Sequence, residues 1–493
     1  MATEHLPILM VFLPLLGGLA AFVAPPRQVW ALLCVVFAGV AASLAPLYQH
    51  LVAHGPLRYP LGGWGVPLGI DLYVDGTGLV MLGMTTGLMA GIAFYSWSYF
   101  GQGARASRFW PLLLLTWAGL NNLFVTADIF NMYVTLELLG LLSVGLIALA
   151  GTPAAYAAAM RYLLAALAAS LFYLLGVAMV YHNSGNLDWV TLRFHLAGGP
   201  SAAIALGLMT AGLMLKSAVF PLHFWLPPAH ANAPAPVSAL LSALMIKASF
   251  YIALRMWLWV FPGSIELESA APFLGVLGAA AIVYGSVQAL RQPRLKLLVA
   301  YSTVAQLGYL FVFFALSMRP GGVALALQAV VFFAVSHAFA KAALFMCSGA
   351  IIRAYGHDWI DGLRGSAERL PGVLFAFGIA GVSIMGLPPS GGFVGKYLLI
   401  GVAIGQRQWF WAAVLAAGGL LAAAYIFRVL NTALSSGNQA AGAGSVARGL
   451  VWPAWGLAMV ALLLGLLAYR PLEVIAIGAP DFEALRVVSG GGP

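Results

Sequence analysis

The 493 residues are 62% apolar and only 8% charged, a balance far outside the soluble range, so the chain reads as a polytopic membrane protein. Its formal net charge of +9 follows more simply from the orientation of connections across a bilayer than from an acidic partner, which makes nucleic acid a poor candidate. The two cysteines, Cys34 and Cys347, both lie in apolar runs and support neither a disulfide framework nor a cysteine metal cluster, so neither a metal nor a redox cofactor is expected.

A bilayer crossing takes about 20 apolar residues. Fourteen runs qualify, near 6–24, 29–50, 72–99, 109–127, 129–150, 155–182, 202–226, 236–260, 271–290, 296–317, 322–352, 371–403, 408–433 and 451–470. The first is preceded by Glu4 and His5 rather than a basic region, and a second run follows at once. It therefore reads as a retained helix and not a cleaved signal.

Alternate connections carry twelve basic residues on one side, among them Arg27, Arg105, Arg294, Lys296 and Arg353. The other side carries six, Arg58, Arg193, Arg319, Arg407, Arg470 and Arg486. By the positive-inside bias both termini are expected outside the cytoplasm, in a cell inner membrane.

In chain order, Glu137 in the fifth run is the one carboxylate expected well inside a span, and Asp128 begins the same helix. Of the five lysines, Lys216, Lys247, Lys341 and Lys396 sit inside apolar runs, whereas Lys296 reads as a loop residue. An ammonium at bilayer depth costs about 2.5–3.5 kcal/mol on insertion scales, so these four need protein or water around them.

The seventh run is interrupted at Lys216-Ser-Ala-Val-Phe-Pro221 and again at Leu226-Pro227-Pro228. The twelfth is interrupted at Gly386-Leu-Pro-Pro-Ser-Gly-Gly392, just before Lys396. Proline removes a backbone donor and glycine lowers the cost of irregular backbone, and such breaks persist at membrane depth only where protein or a polar cavity satisfies the freed carbonyls. One break alone reads as a harmless kink; two, each beside a lysine, point to an ion path. Breaks five spans apart also suggest an internal repeat, spans four to eight matching nine to thirteen.

His223 stands at the first break, where it can help a proton enter, and His230 reads as interfacial. Their spacing is not a convincing metal motif. Ser302, Thr303 and Gln306 in the tenth run suit interhelical packing. His337 and Lys341, four apart, share a helix face and fit a proton relay, although a membrane histidine alone is as readily a structural residue. The stretch Ser435 to Ala447, rich in Gly, Ser and Ala, reads as a flexible loop before a peripheral last span.

The run Phe220-Pro-Leu-His-Phe-Trp-Leu-Pro227, followed by Ala233-Pro-Ala-Pro-Val-Ser-Ala-Leu240 and Lys247, resembles the proton-conducting, antiporter-like subunits shared by Mrp-type sodium/proton antiporters, respiratory complex I and membrane-bound hydrogenases. The resemblance continues through Leu298-Val-Ala-Tyr-Ser-Thr303, His337-Ala-Phe-Ala-Lys341 and Gly386 to Lys396, and covers nearly the whole chain.

It implies an all-α fold of about fourteen transmembrane helices with two inverted five-helix repeats and two broken helices. Residues 1–108 would hold the first three spans, 109–260 and 271–433 the repeats, and 451–470 the last span. It further implies a Glu137–Lys216 pair, a connecting Lys247, a His337–Lys341 relay and an outer Lys396. Lysine at 396, rather than a carboxylate, is similar to the D-type component of Mrp antiporters. The expected function is proton translocation in a multisubunit sodium/proton antiporter, with other membrane subunits as partners and no cofactor. The alternative is a non-redox membrane subunit of an NADH dehydrogenase or hydrogenase complex. A soluble-substrate carrier would need a wide midplane cavity instead of a line of titratable groups, and a structural anchor would tolerate loss of the deep lysines. No nucleophile, base and oxyanion constellation supports a hydrolase.

Overall fold

The computed structural model describes residues 4–262, 264–318, 322–437 and 444–480. Arg319, Arg486 and the middle of the Ser435 to Ala447 connection lie outside the described residues. The chain is nearly all helical. Helices α1 (Leu6–Val23) and α2 (Pro26–His54) lead into a small antiparallel hairpin, β1 (Leu57–Pro60) with β2 (Asp71–Val74), in which Leu57 faces Val74 and Pro60 faces Asp71. This hairpin is absent from the all-α expectation. Arg58 ties it to the segment that caps the helix Trp189–His195 by bridging Asp71 at 2.5 Å and Asp188 at 3.0 Å.

Then come α3 (Gly76–Phe100), α4 (Ala104–Val125), α5 (Ile129–Ala148), α6 (Pro153–Ser184) and the short α7 (Trp189–His195). The seventh expected span is two pieces, α8 (Pro200–Lys216) and α9 (Leu226–Asn232). The eighth is α10 (Ala235–Leu240) and α11 (Ile246–Arg255), with π-helical turns at Leu241–Met245 and Met256–Val260. The second half holds α12 (Ala271–Arg291), α13 (Leu295–Ser317), α14 (Val323–Tyr355), the short α15 (Ser366–Arg369), α16 (Pro371–Met385), α17 (Gly391–Gly405), α18 (Trp409–Leu434), α19 (Arg448–Leu463) and α20 (Tyr469–Ala476).

Each of the fourteen expected runs coincides with one of these helices or a broken pair. Among the described residues, ten helices are long and apolar enough to cross a membrane, and four shorter apolar ones are Pro200–Lys216, Pro371–Met385, Gly391–Gly405 and Arg448–Leu463. The span Ala235–Val260 is buried along its whole length, and α13 and α14 nearly so, so these three form the centre of the bundle. The flanks are lipid-like: Leu164, Leu171 and Leu175 of α6 and Leu420 and Phe427 of α18 are all exposed.

The described chain ends meet on one side. His5 Nδ1 lies 3.2 Å from the Tyr59 hydroxyl of the hairpin, and Gly76 N donates to Ile477 O at 2.9 Å, so the end of α20 sits against the start of α3.

The two interruptions are capped differently. After α8, Leu215 O accepts from Ala218 N at 3.2 Å and from the indole of Trp225 at 2.8 Å, and the Ser217 and Ser249 hydroxyls are 2.9 Å apart. After α16, Gly386 takes a left-handed conformation (φ 82°), and Leu387 N returns to Val382 O at 3.0 Å, a glycine-terminated helix end. Ser390 then opens α17, accepting from Phe393 N at 3.2 Å. Gly392 faces the backbone of α16 so closely that a Cβ there would stand 1.9 Å from Ser383 O.

Gly392→Ala is therefore expected to destabilise the assembled protein by about 1–3 kcal/mol through overpacking against backbone. Gly401→Ala, on the same helix with nothing within 4 Å of its Cβ, serves as the control. Thermal unfolding in detergent checks the pair, and equal midpoints would contradict the close crossing.

Candidate functional site

The fifth and seventh spans bring Glu137 and Lys216 together. Lys216 Nζ stands 3.8 Å from Glu137 Oε2 and donates to Leu136 O at 3.1 Å, while Ser170 Oγ donates to the same Glu137 oxygen. The Glu137 side chain is 22% exposed and that of Lys216 9%, and Val134, Leu138 and Leu141 beside them are exposed. The pair thus lies at a lateral flank of the bundle.

The remaining members of the row run inward and across. Lys247, fully buried on α11, donates to Ser242 O at 2.5 Å, a carbonyl of the adjoining π-helical turn. Lys341 on α14 donates to Val299 O at 3.1 Å and to Ser302 Oγ. His337, one turn away, stacks on Phe333 at 5.9 Å, and neither of its ring nitrogens has a protein hydrogen-bond partner. It lies within electrostatic reach of Lys247, Lys341 and Lys396. Lys396 ends the row: its Nζ donates to Ile384 O at 2.7 Å and Met385 O at 3.4 Å, the last carbonyls of α16, and rests 4.5 Å from the centre of the Tyr309 ring. A cation at a helix C-terminus is favoured by the aligned peptide dipoles.

Lys247, His337, Lys341 and Lys396 are thus electrostatic neighbours, and the Glu137–Lys216 pair stands at the flank, where Ser217, next to Lys216, meets Ser249 of α11. Among the described residues, Lys216 is the one lysine with a carboxylate within 4 Å. Every other amine is held by neutral oxygens, which accept a hydrogen from an amine and from an ammonium alike. Such a string can take up, hold and release protons; no group of three His, Cys, Asp or Glu capable of holding a metal occurs among the described residues.

Three expectations need correction. Lys296 is not a loop residue: it is the second residue of α13, buried, with Nζ donating to Ala233 O at 2.6 Å. Asp358 draws it in by pairing with Arg294 at 2.8 Å and accepting from Lys296 N at 3.2 Å. His230 is not interfacial but buried, stacked on Phe345 at 4.7 Å. Ser302 does more than pack helices, since it is the hydroxyl partner of Lys341. Asp75, the N-cap of α3, is a further fully buried carboxylate, placed at the end of its span rather than well inside it.

Asp75 and its partner Arg255 were invisible as a pair in the sequence. The guanidinium donates to both Asp75 oxygens at 2.6 Å and to the Tyr251 hydroxyl at 2.7 Å. Trp189, Tyr251 and Trp259 surround it at 4.3–4.7 Å. The available signal was spacing: Lys247, Tyr251 and Arg255 are four apart and share one helix face. His223, at the first break, is enclosed by Phe220, Tyr284 and Tyr301.

Breaking a buried, hydrogen-bonded pair strands the remaining charge, at about 3–5 kcal/mol. Asp75→Asn should accordingly lower the thermal midpoint sharply, and adding Arg255→Met should recover part of the loss. A single Asp75→Asn variant as stable as the parent would show that the pair is not a structural lock.

The family described as NADH:quinone oxidoreductase/Mrp antiporter, TM, matches residues 126–422. The chain is 37% identical to the N-type component of the NADH-quinone oxidoreductase of Desulforudis audaxviator, over 90% of this chain and 89% of that one. It is 28% identical to the D-type component of the Na(+)/H(+) antiporter of Alkalihalophilus pseudofirmus, over 85% and 84%. A chain of the Mrp complex from Dietzia sp. DQ12-45-1b superposes with a TM-score of 0.88 at 25% identity, covering 100% of both chains.

Proposed function

The chain belongs to the NADH:quinone oxidoreductase/Mrp antiporter transmembrane family, and from that premise we propose that it is the proton-translocating subunit of a multisubunit monovalent cation (sodium)/proton antiporter. The observation that carries this reading is the row itself, from Glu137 and Lys216 at one flank through Lys247, His337 and Lys341 to Lys396. A proton taken up near the broken seventh span resides on Lys216, passes by side chains and water through Lys247 to His337 and Lys341, and leaves past Lys396. Glu137 sets whether Lys216 holds its proton.

The Mrp complex supports the antiporter reading through a full-length match, as does the similarity to the D-type component of a Na(+)/H(+) antiporter. Other membrane subunits are then its partners, against flanks such as the one bearing Glu137. A second reading has its own support: the 37% identical relative is a component of an NADH-quinone oxidoreductase, which would make the same row a pump driven by a redox partner. Proton flux that depends on sodium separates the antiporter from a pump that moves protons only during quinone reduction.

Further parts of the reading rest on less. Residues 109–260 and 271–433 are taken as two inverted five-helix repeats, supported by the interruptions at α8/α9 and α16/α17. Both termini are taken to face outside a cell inner membrane. In support, the described ends share the hairpin side, and Arg105, Arg294 and Arg353 lie toward the other.

Lys216→Ala should abolish coupled proton movement in everted vesicles while the complex still assembles; flux at the parental rate would sink the assignment. At Lys396, what matters is an exchangeable proton, and arginine is effectively always protonated. Lys396→Arg should impair flux nearly as much as Lys396→Ala at matched expression. Normal flux in the arginine variant alone would make Lys396 a fixed charge.

A further inference from the structure

Among the buried titratable side chains outside the row, Lys296 and His230 lead toward a cavity. A vestibule of about 430 Å³ opens at the end of α9, on the side of the bundle reached by the C-terminal end of α3 and therefore opposite the hairpin. Its walls include Arg105, Arg353, Ala231, Asn232 and Arg294, and Lys296 lies at its inner limit. Arg105 and Arg353 are exposed, whereas Lys296 is buried. Of the lining cations, Lys296 alone is a lysine, and so the one able to exchange a proton rather than carry a fixed charge.

Beyond Lys296 stands His230. It is buried, its Nδ1 has no protein partner, and it lies within electrostatic reach of Lys296, Lys341 and Lys247. Lys296 donates to Ala233 O, three residues after His230, so the bend that ends α9 brings the two together. The remaining charged neighbours of Lys296 are Asp358 and Arg294, which pair with each other.

We propose that this vestibule is a second proton intake, which reaches the centre of the row through Lys296 and His230 and which the transport cycle needs in addition to the Glu137–Lys216 pair. The inference deepens the proton-translocation reading and rests on it. A proton delivered by water bonds to the Lys296 amine lone pair. The resulting ammonium breaks that N–H bond as a ring nitrogen of His230 forms its own, and the other ring nitrogen releases its proton to the amine of Lys341 or Lys247. Imidazole can pass a proton in this way because its two nitrogens act in turn as acceptor and donor. The arginines at the mouth add a fixed positive charge that opposes metal cations, while a proton, once inside, is held covalently by a nitrogen base.

The test uses the assembled complex in proteoliposomes with a pH-sensitive dye inside. Lys296→Arg and Lys296→Met should both lower flux by about 10²-fold, the scale of a lost proton-transfer group, and His230→Gln likewise. Normal flux in Lys296→Arg would overturn the intake. Because these variants touch a buried position, a second measurement starts from a folded protein: Ala231→Cys, with Cys34→Ser, is assayed before and after reaction with a bulky cationic thiol reagent. Flux should collapse on modification, and unchanged flux with mass spectrometry showing complete labelling would rule the vestibule out as a route. Lys216→Ala run in parallel separates the failures. Loss in Lys216→Ala with normal flux in the Lys296, His230 and labelled Ala231→Cys proteins would refute this intake alone, whereas normal flux in Lys216→Ala would refute the translocation reading itself.

Discussion

An amine buried in hydrocarbon must find an acceptor, and the arrangement of this bundle follows from where backbone can supply one. All five lysines donate to a main-chain carbonyl: Lys216 to Leu136, Lys247 to Ser242, Lys296 to Ala233, Lys341 to Val299 and Lys396 to Ile384. A carbonyl inside a regular helix already accepts from its own ladder. Three of the five come instead from irregular backbone: the π-helical turn after α10, the bend after α9 and the end of α16. The interruptions are thus the means by which the lysines are tolerated at depth, and they also keep the amines undersupplied. An ammonium has three donors, and each Nζ meets only one or two protein acceptors, so the scaffold completes neither protonation state.

Under the proposed function, this incompleteness becomes mutual control. Lys216 has a carboxylate to hold it charged, but Lys247, Lys341, Lys396 and His337 have one another. Like charges brought close in a low dielectric repel strongly. A proton arriving at one interior site therefore raises the cost of keeping one at the next. Occupancy passes along the row by repulsion, and the carboxylate at the flank sets where the sequence starts.

The sequence made the apolar helices, both breaks and the six candidate residues legible because those signals are local: apolar run length, proline and glycine, and a charged or titratable residue in an apolar context. It hid what depends on tertiary crossing. Lys296 follows Arg291-Gln-Pro-Arg294, a string that reads as a basic connection, and nothing local says that Asp358 and the carbonyl of Ala233 draw it under cover. His230 reads as interfacial in the sequence, yet α14 covers it with Phe345. Asp75 and Arg255 are 180 residues apart, and neither announces the other. The hairpin escaped notice because its strands are four residues each, too short for a periodic signal.

The hidden residues also separate two kinds of buried cation that depth alone would merge. Arg255 and Lys247 sit two turns apart on one face of α11, both fully buried. Arg255 is gripped by both oxygens of Asp75, by a tyrosine hydroxyl and by three aromatic faces. Its charge is permanent and locally neutralised, so at Lys247 the pair acts as a dipole rather than as a net positive charge. Lys247 has one carbonyl and no counter-ion among the described residues. Arginine with a matched carboxylate fixes structure, and lysine with a single neutral acceptor leaves a proton free to move. By that criterion Lys296, with one carbonyl on its amine and a carboxylate already committed to Arg294, belongs with the mobile set.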